Sequence, residues 1–214
     1  MSQYSVKNYD CPYCGNAFQT NVYYSVEAED IDLRDRCVSG EVFKCTCPSC
    51  HKEFYVQNDL TYIDRTNKFV LVLSDTEVPS QVFELGATLA KNGYRLRRCE
   101  TIGEFVEKIQ IFEDGIDDVM VELARYDCFI EFVDNDKGTA EDITSIDYQR
   151  CEAGVMKINV RTSDKGLAFT IPTSVIEEEM EQNKERYAVD NATFPVVNAA
   201  WIISLFQDLT KEEA

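Results

Sequence analysis

The chain has 214 residues, 44% of them hydrophobic and 28% charged, which suits one or two globular domains with a buried core. Residues 1–65 hold six Lys/Arg against ten Asp/Glu and so contribute −4 to a formal net charge of −18, leaving −14 on the rest. Such a surface repels phosphate backbones and anionic lipids at long range, which argues against a nucleic-acid or membrane-surface role and suits a protein partner with basic character.

No apolar run approaches the roughly 18 residues a membrane span needs. The opening residues, Met1-Ser2-Gln3-Tyr4-Ser5-Val6-Lys7, show no basic stretch followed by an apolar one, so a cytoplasmic protein is expected. Nine cysteines then call for an explanation other than disulfides. Disulfides are disfavoured in a reducing compartment, and the odd count cannot pair completely. A metal site using four thiolates, with the remaining thiols buried, accounts for them better.

Residues 3–26 read as strand, turn and strand, with Cys11-Pro12-Tyr13-Cys14 and Gly15-Asn16 in the turn. Residues 27–36 are charged around Ile31 and Leu33 and predict a helical turn or ordered loop that Gly40 ends. Val42 to Thr46 predicts a strand entering Cys47-Pro48-Ser49-Cys50, and Glu53 to Val56 the return strand. Leu60 to Ile63 keeps β character, and Phe69-Val70-Leu71-Val72-Leu73 has the uninterrupted apolar character of a buried strand. The segment 64–68 is the expected boundary between a zinc-ribbon domain, 1–65, and an α+β domain, 66–214, the two packing together.

In the second part, residues 80–92 predict one helix with Val82, Phe83, Leu85, Leu89 and Ala90 on its apolar side. Tyr94 to Cys99 predicts a strand, with Arg95, Arg97 and Arg98 as the one local basic cluster, read as a solvated strand face. Thr101 and Glu104 have capping-box spacing ahead of a helix with Ile102, Phe105, Val106, Ile109 and Phe112 on one side. Gly115 stops it, and Asp117-Asp118 opens the next helix. Phe129 to Val133 fits either a continuation of that helix or a strand. Ile143–Cys151, 155–162 and 167–171 predict a three-stranded meander. Pro172-Thr173-Ser174 then caps an acidic helix to about residue 187, whose Glu177, Glu178, Glu179 and Glu181 read as a solvated face. Phe194 to Val197 is a candidate strand, and Ala199, Ile202, Ile203, Phe206 and Leu209 mark a closing amphipathic helix.

The two Cys-Pro-x-Cys turns carry the chemistry. Each lets two sulfurs from one turn reach one ion, and 32 residues separate Cys14 from Cys47, the length of a β-hairpin-sized insertion. Cys11, Cys14, Cys47 and Cys50 are therefore the expected ligands of one zinc ion. Four thiolates leave no open position for water, so the metal is expected to be structural. The rival is thiol redox chemistry, because Cys-Pro-Tyr-Cys alone is similar to a glutaredoxin centre. That centre opens a helix, whereas here a β-rich run follows Cys14. Cys37 and Cys45 are read as buried thiols, as are Cys99, Cys128 and Cys151. His51, the sole histidine, is read as a knuckle residue at a position that favours glycine for its positive φ. With no second histidine, Ser/His and Cys/His nucleophile schemes lack an independent base.

The CPxC pair resembles the CpXC family of bacterial and archaeal proteins. Leu33 through Gly40 leading to Phe43, the run Glu104 to Ile109 with Gly115-Ile116-Asp117-Asp118, and Val197-Asn198-Ala199-Ala200-Trp201 are further points of similarity. His51 departs from the glycine the family pattern has after the second motif. The resemblance implies a zinc-binding ribbon joined to an α/β part, and it carries over no catalytic residue. A non-enzymatic binding or scaffold module is the expected function. The alternatives are an enzyme with its site at the junction of the two parts, or a CPxC redox protein.

Overall fold

The computed structural model describes residues 1–150 and 154–207. The chain is α+β and divides into two compact units. The first comprises Met1–Ile109 and Asp190–Val196, the second Gln110–Val189 and Val197–Ala214.

The first unit is built on a five-stranded mixed sheet. Strand β1 (Gln3–Asp10) pairs antiparallel with β2 (Ala17–Glu27). The last residues of β2 turn inward and run parallel to a later strand, with Ser25 opposite Thr61. Between them the chain forms α1 (Ile31–Val38), where Asp30 caps the helix by accepting from the Leu33 amide at 3.4 Å. Leu33 and Cys37, four apart, form its buried stripe. Gly40 follows at φ 76°, in the left-handed region where glycine carries no Cβ penalty.

A 3-10 turn takes Glu41–Phe43, so the strand expected from Val42 begins two residues later. Strands β3 (Lys44–Thr46) and β4 (Glu53–Tyr55) form a separate two-stranded ribbon. Strand β5 (Leu60–Asp64) then returns to the main sheet and pairs antiparallel with β6 (Phe69–Leu73). All five residues of β6 are buried, as an uninterrupted apolar run in an inner strand must be.

The boundary expected at 64–68 is the turn of this hairpin. Leu60 to Asp64 stand opposite Leu73 to Phe69 in continuous register. Backbone pairing carries the sheet straight through the segment, and the compact units part near residue 109.

The helix expected over 80–92 is broken into α2 (Ser80–Phe83) and α3 (Gly86–Lys91), leaving Phe83 and Leu85 exposed. A Cβ on Gly86 would lie 2.3 Å from the Ala192 carbonyl oxygen, so the break coincides with a backbone approach only glycine permits. Edge strand β7 (Arg95–Cys99) runs parallel to β6.

Its basic cluster is not the solvated face expected. Arg97 is buried, and its Nη1 donates to Asn191 Oδ1 at 2.6 Å and to the Leu96 carbonyl at 2.9 Å. Arg98 reaches the Ser74 carbonyl at 3.0 Å and Glu100 at 2.9 Å. Nor do residues 194–197 form a strand. Phe194 takes φ 52° and its ring joins Val70, Val72 and Leu96 in the core, while Pro195 accepts a single bond from the Arg98 amide at 3.3 Å.

Helix α4 (Ile102–Glu113) has the Thr101 cap its spacing predicts, while the Glu104 carboxylate reaches one residue beyond the cap. The Glu104 amide donates to Thr101 Oγ1 at 3.2 Å, and the Glu104 carboxylate accepts from the Glu100 amide at 2.8 Å.

In the second unit, Asp117 caps α5 (Asp118–Asp134) by accepting from the Val119 amide at 2.9 Å. Asp118 itself is fully buried. The open choice at 129–133 resolves as helix, with Cys128 and Phe132 buried on the stripe begun by Val121 and Ala124. Strands β8 (Ile143–Gln149), β9 (Val155–Thr162) and β10 (Gly166–Pro172) form the expected meander, with β9 central and Met156, Ile158 and Val160 buried at every second residue.

Asp114 holds the end of the meander. It accepts from Tyr148 Oη at 2.7 Å and pairs with the Arg150 guanidinium at 2.7 Å. Helix α6 (Thr173–Gln182) stops five residues short of the expected end, where the Asn183 amide closes on the Glu179 carbonyl. Glu177, Glu178 and Glu181 are exposed, while Glu179 turns to accept from Tyr187 Oη at 3.2 Å. Helix α7 (Ala199–Gln207) completes the described chain. Cys151 and Leu209 lie outside the described residues.

Candidate metal centre

The two Cys-Pro-x-Cys turns connect two different ribbons. The first joins β1 to β2, the second joins β3 to β4. They nevertheless have the same internal bonding. The Cys11 amide donates to the Asn16 carbonyl at 3.0 Å and the Cys47 amide to the Lys52 carbonyl at 3.0 Å, each spanning five residues. The Gly15 amide closes on the Cys11 carbonyl and the His51 amide on the Cys47 carbonyl, both at 2.9 Å.

Each turn therefore wraps a loop around its first cysteine and aims both sulfurs to one side. Proline at the second position, in Pro12 and Pro48, fits because the turn asks for no donor there and gains a fixed φ. The fifth position must enter the left-handed region. Gly15 does so at φ 70° without penalty, and His51 does so at φ 58° with a side chain attached.

The four sulfurs meet. Cys11 Sγ lies 3.6 Å from Cys50 Sγ, and Cys14 Sγ lies 3.7 Å from Cys47 Sγ. All four fall within 4.8 Å of one another. The close pairs each join one turn to the other, so the cluster ties the β1–β2 ribbon to the β3–β4 ribbon. Cys11 and Cys47 are buried, Cys50 is half-buried and Cys14 is exposed.

Electrostatics separates the thiols. The Cys50 backbone amide, and after it that of Ser49, favours the Cys47 thiolate and holds its pKa at about 7. At Cys14 the Asn16 amide acts in the same direction, but partial desolvation of the sulfur and the neighbouring thiols of Cys11, Cys50 and Cys47 outweigh it and push the pKa up to about 12. Four sulfurs this close resist collective deprotonation unless a cation shares the charge.

Aromatic side chains brace the cluster. Phe54 of β4 meets Phe18 of β2 edge-on at 6.2 Å and Tyr13 of the first turn at 6.4 Å. Lys52 Nζ stands 4.7 Å over the Tyr13 ring. Asn16 and Lys52 hold the turns through main-chain oxygens, which no side-chain pattern reveals. The equal five-residue offset from each first cysteine was the available signal.

The remaining described cysteines stay apart from the cluster. Cys37 on α1 and Cys45 on β3 are buried thiols outside the cluster, and burial pushes the Cys37 pKa up to about 12. Cys99 and Cys128 are buried in β7 and α5. His51 is exposed and outside the cluster. The helix that a redox centre of the glutaredoxin kind requires after its motif is absent, since Cys14 leads directly into β2.

No curated protein and no solved structure matches the chain. The family model described as CpXC protein matches residues 9–125, a stretch that holds both turns, all four clustered cysteines and most of the first unit. That match covers more than half of the 214 residues, and the chain belongs to the CpXC family.

Proposed function

We propose that Cys11, Cys14, Cys47 and Cys50 hold one structural zinc ion and that the protein is a non-enzymatic binding or scaffold module of a reducing, cytoplasmic compartment. The observation that carries the metal reading is the sulfur geometry. A tetrahedral zinc ion with bonds of about 2.3 Å places its sulfurs about 3.8 Å apart. The cross-turn pairs stand at 3.6 and 3.7 Å.

Four sulfurs fill the coordination shell, so no position remains for a reacting water or substrate. What such an ion supplies is folding energy for the two ribbons and a fixed arrangement of the surfaces they carry. The surplus of 39 acidic over 21 basic residues favours a protein partner with a basic face over nucleic acid.

Metal analysis of the purified protein tests the first half of this reading, with one zinc per chain expected. Cys11→Ser or Cys47→Ser should each abolish stoichiometric zinc and expose the 1–60 region to protease. A metal-free protein whose four thiols oxidise and reduce reversibly would favour the redox alternative instead. For the second half, capture from a native lysate at low and high salt should retain a basic protein whose binding weakens with salt. Turnover of a small-molecule substrate by the zinc-loaded protein would overturn it.

A further inference from the structure

The second unit contains a partly open cavity of about 220 Å³, and nothing in the metal reading uses it. Its wall comes from three elements. Arg125, Tyr126 and Phe129 lie on one side of α5, Ile146 on β8, and Ala199, Ile202 and Ile203 recur at helical spacing on α7. Tyr126 and the α7 residue Phe206 stack face to face, with ring centroids 4.2 Å apart and planes 2° apart, which fixes α7 against α5 beside the cavity. Ile202 is buried, while Ile203 is 41% exposed at the mouth.

We infer that this cavity between α5, α7 and β8 is a binding site for a small neutral aromatic molecule, of the size range from benzene to indole.

Volume sets the size. Close-packed interiors leave few voids larger than a water. An apolar cavity of about 150 Å³ takes benzene, so one of this volume admits a single ring with a fused or short apolar extension. Composition sets the polarity, since among the described residues six of the seven that line the wall are apolar or aromatic and offer little for a polar ligand to bond.

Charge settles the rest. Among the described residues of the wall Arg125 is the cationic one, and its Nη1 is ion-paired with buried Glu122 at 3.1 Å. The Glu122 carboxylate against that guanidinium offsets its charge, and the −18 surface repels an anion on approach. A cation would be drawn by that surface but meets Arg125 inside. A neutral ring has neither conflict, and the wall includes the aromatic side chains of Tyr126 and Phe129 to pack against it.

The test is a titration of the zinc-loaded full chain with indole, followed by methyl NMR of its isoleucines. Saturable shifts confined to Ile146, Ile202 and Ile203 are expected, with a Kd of roughly 100 µM as the ligand size allows. Benzoate and benzylammonium, ring compounds of either charge, should each bind at least tenfold more weakly. Ala199→Trp, which fills the cavity from α7, should weaken indole at least tenfold with the same zinc content and circular dichroism. If that variant does not fold, the wild-type isoleucine shifts and the charge series decide alone. No shift at these methyls up to about 5 mM indole, unchanged affinity in a folded Ala199→Trp, or benzoate binding as tightly as indole would each overturn the assignment.

Discussion

His51 and Gly15 occupy the same place in two copies of one turn, and they pay different conformational penalties there. Both stand at positive φ, but only His51 carries a Cβ. The left-handed conformation costs an ordinary residue about 1–2 kcal/mol, partly offset by the unfolded-state freedom that glycine brings. His51→Gly should therefore stabilise the protein by about 0.5–1 kcal/mol, read as a raised denaturant midpoint. Gly15→Ala should lower stability by about 1 kcal/mol, although nothing lies within 4 Å of the added carbon. If His51→Gly were neutral or destabilising, the imidazole would have to make a compensating contact that outweighs the backbone penalty. The pattern Cys-Pro-x-Cys followed by one left-handed residue is legible in the sequence. That position 51 keeps its positive φ without glycine is a property of the closed turn, whose His51 amide is committed to the Cys47 carbonyl.

At the scale of elements, the end of β2 is held by charge. Arg65 lies 2.8 Å from Glu27 and keeps its carboxyl well below the usual range, at about 2. A depressed folded-state pKa contributes stability above the unfolded value of about 4.3, and that contribution is lost as pH falls towards 2. The stability difference between wild type and Glu27→Gln should be full at pH 6, shrink below about pH 4.5 and vanish near pH 2. Urea midpoints of both proteins at each pH measure it, and acid effects common to both cancel in the difference. A difference that stays constant with pH would show that Glu27 acts by packing alone.

The close approach at Gly86 belongs to the same scale. A methyl there would meet the Ala192 carbonyl oxygen at 2.3 Å, so Gly86→Ala should cost about 1–3 kcal/mol and lower Tm by several degrees. It should also free the 190–196 segment, with new protease cleavage near Ala192. The helix expected across 80–92 fails at this contact. Its apolar spacing was genuine, but local periodicity carries no information about a backbone arriving from a hundred residues away.

For the whole molecule, the cysteine cluster and the meander belong to different compact units. All four cysteines lie in the first unit, whereas the β8–β10 meander is held by its own alternating core and by the Asp114 clamp. On the proposed metal reading, a chelator should raise amide exchange at Cys11, Gly15, Cys47 and His51, and leave the β9 amides protected. Simultaneous loss of protection at both places would mean that the chain unfolds as one cooperative body.

By itself the sequence determined the parts whose physics is local. The CPxC spacing named the four sulfurs, and the caps at Thr101 and Asp117 placed two helix starts. Uninterrupted apolar character identified β6, and alternation identified the meander. Tertiary structure alone decided what depends on distant segments meeting. It carried the sheet through the expected boundary at 64–68, because Leu60–Asp64 pairs with Phe69–Leu73. It buried Arg97, because Asn191 arrives as a partner. It turned residues 194–197 into a core plug instead of a strand. Above all it brought two turns 32 residues apart to sulfur–sulfur distances near 3.6 Å. Spacing can name candidate ligands, but only the closing of two separate ribbons against each other sets the sulfur geometry that the proposed ion requires.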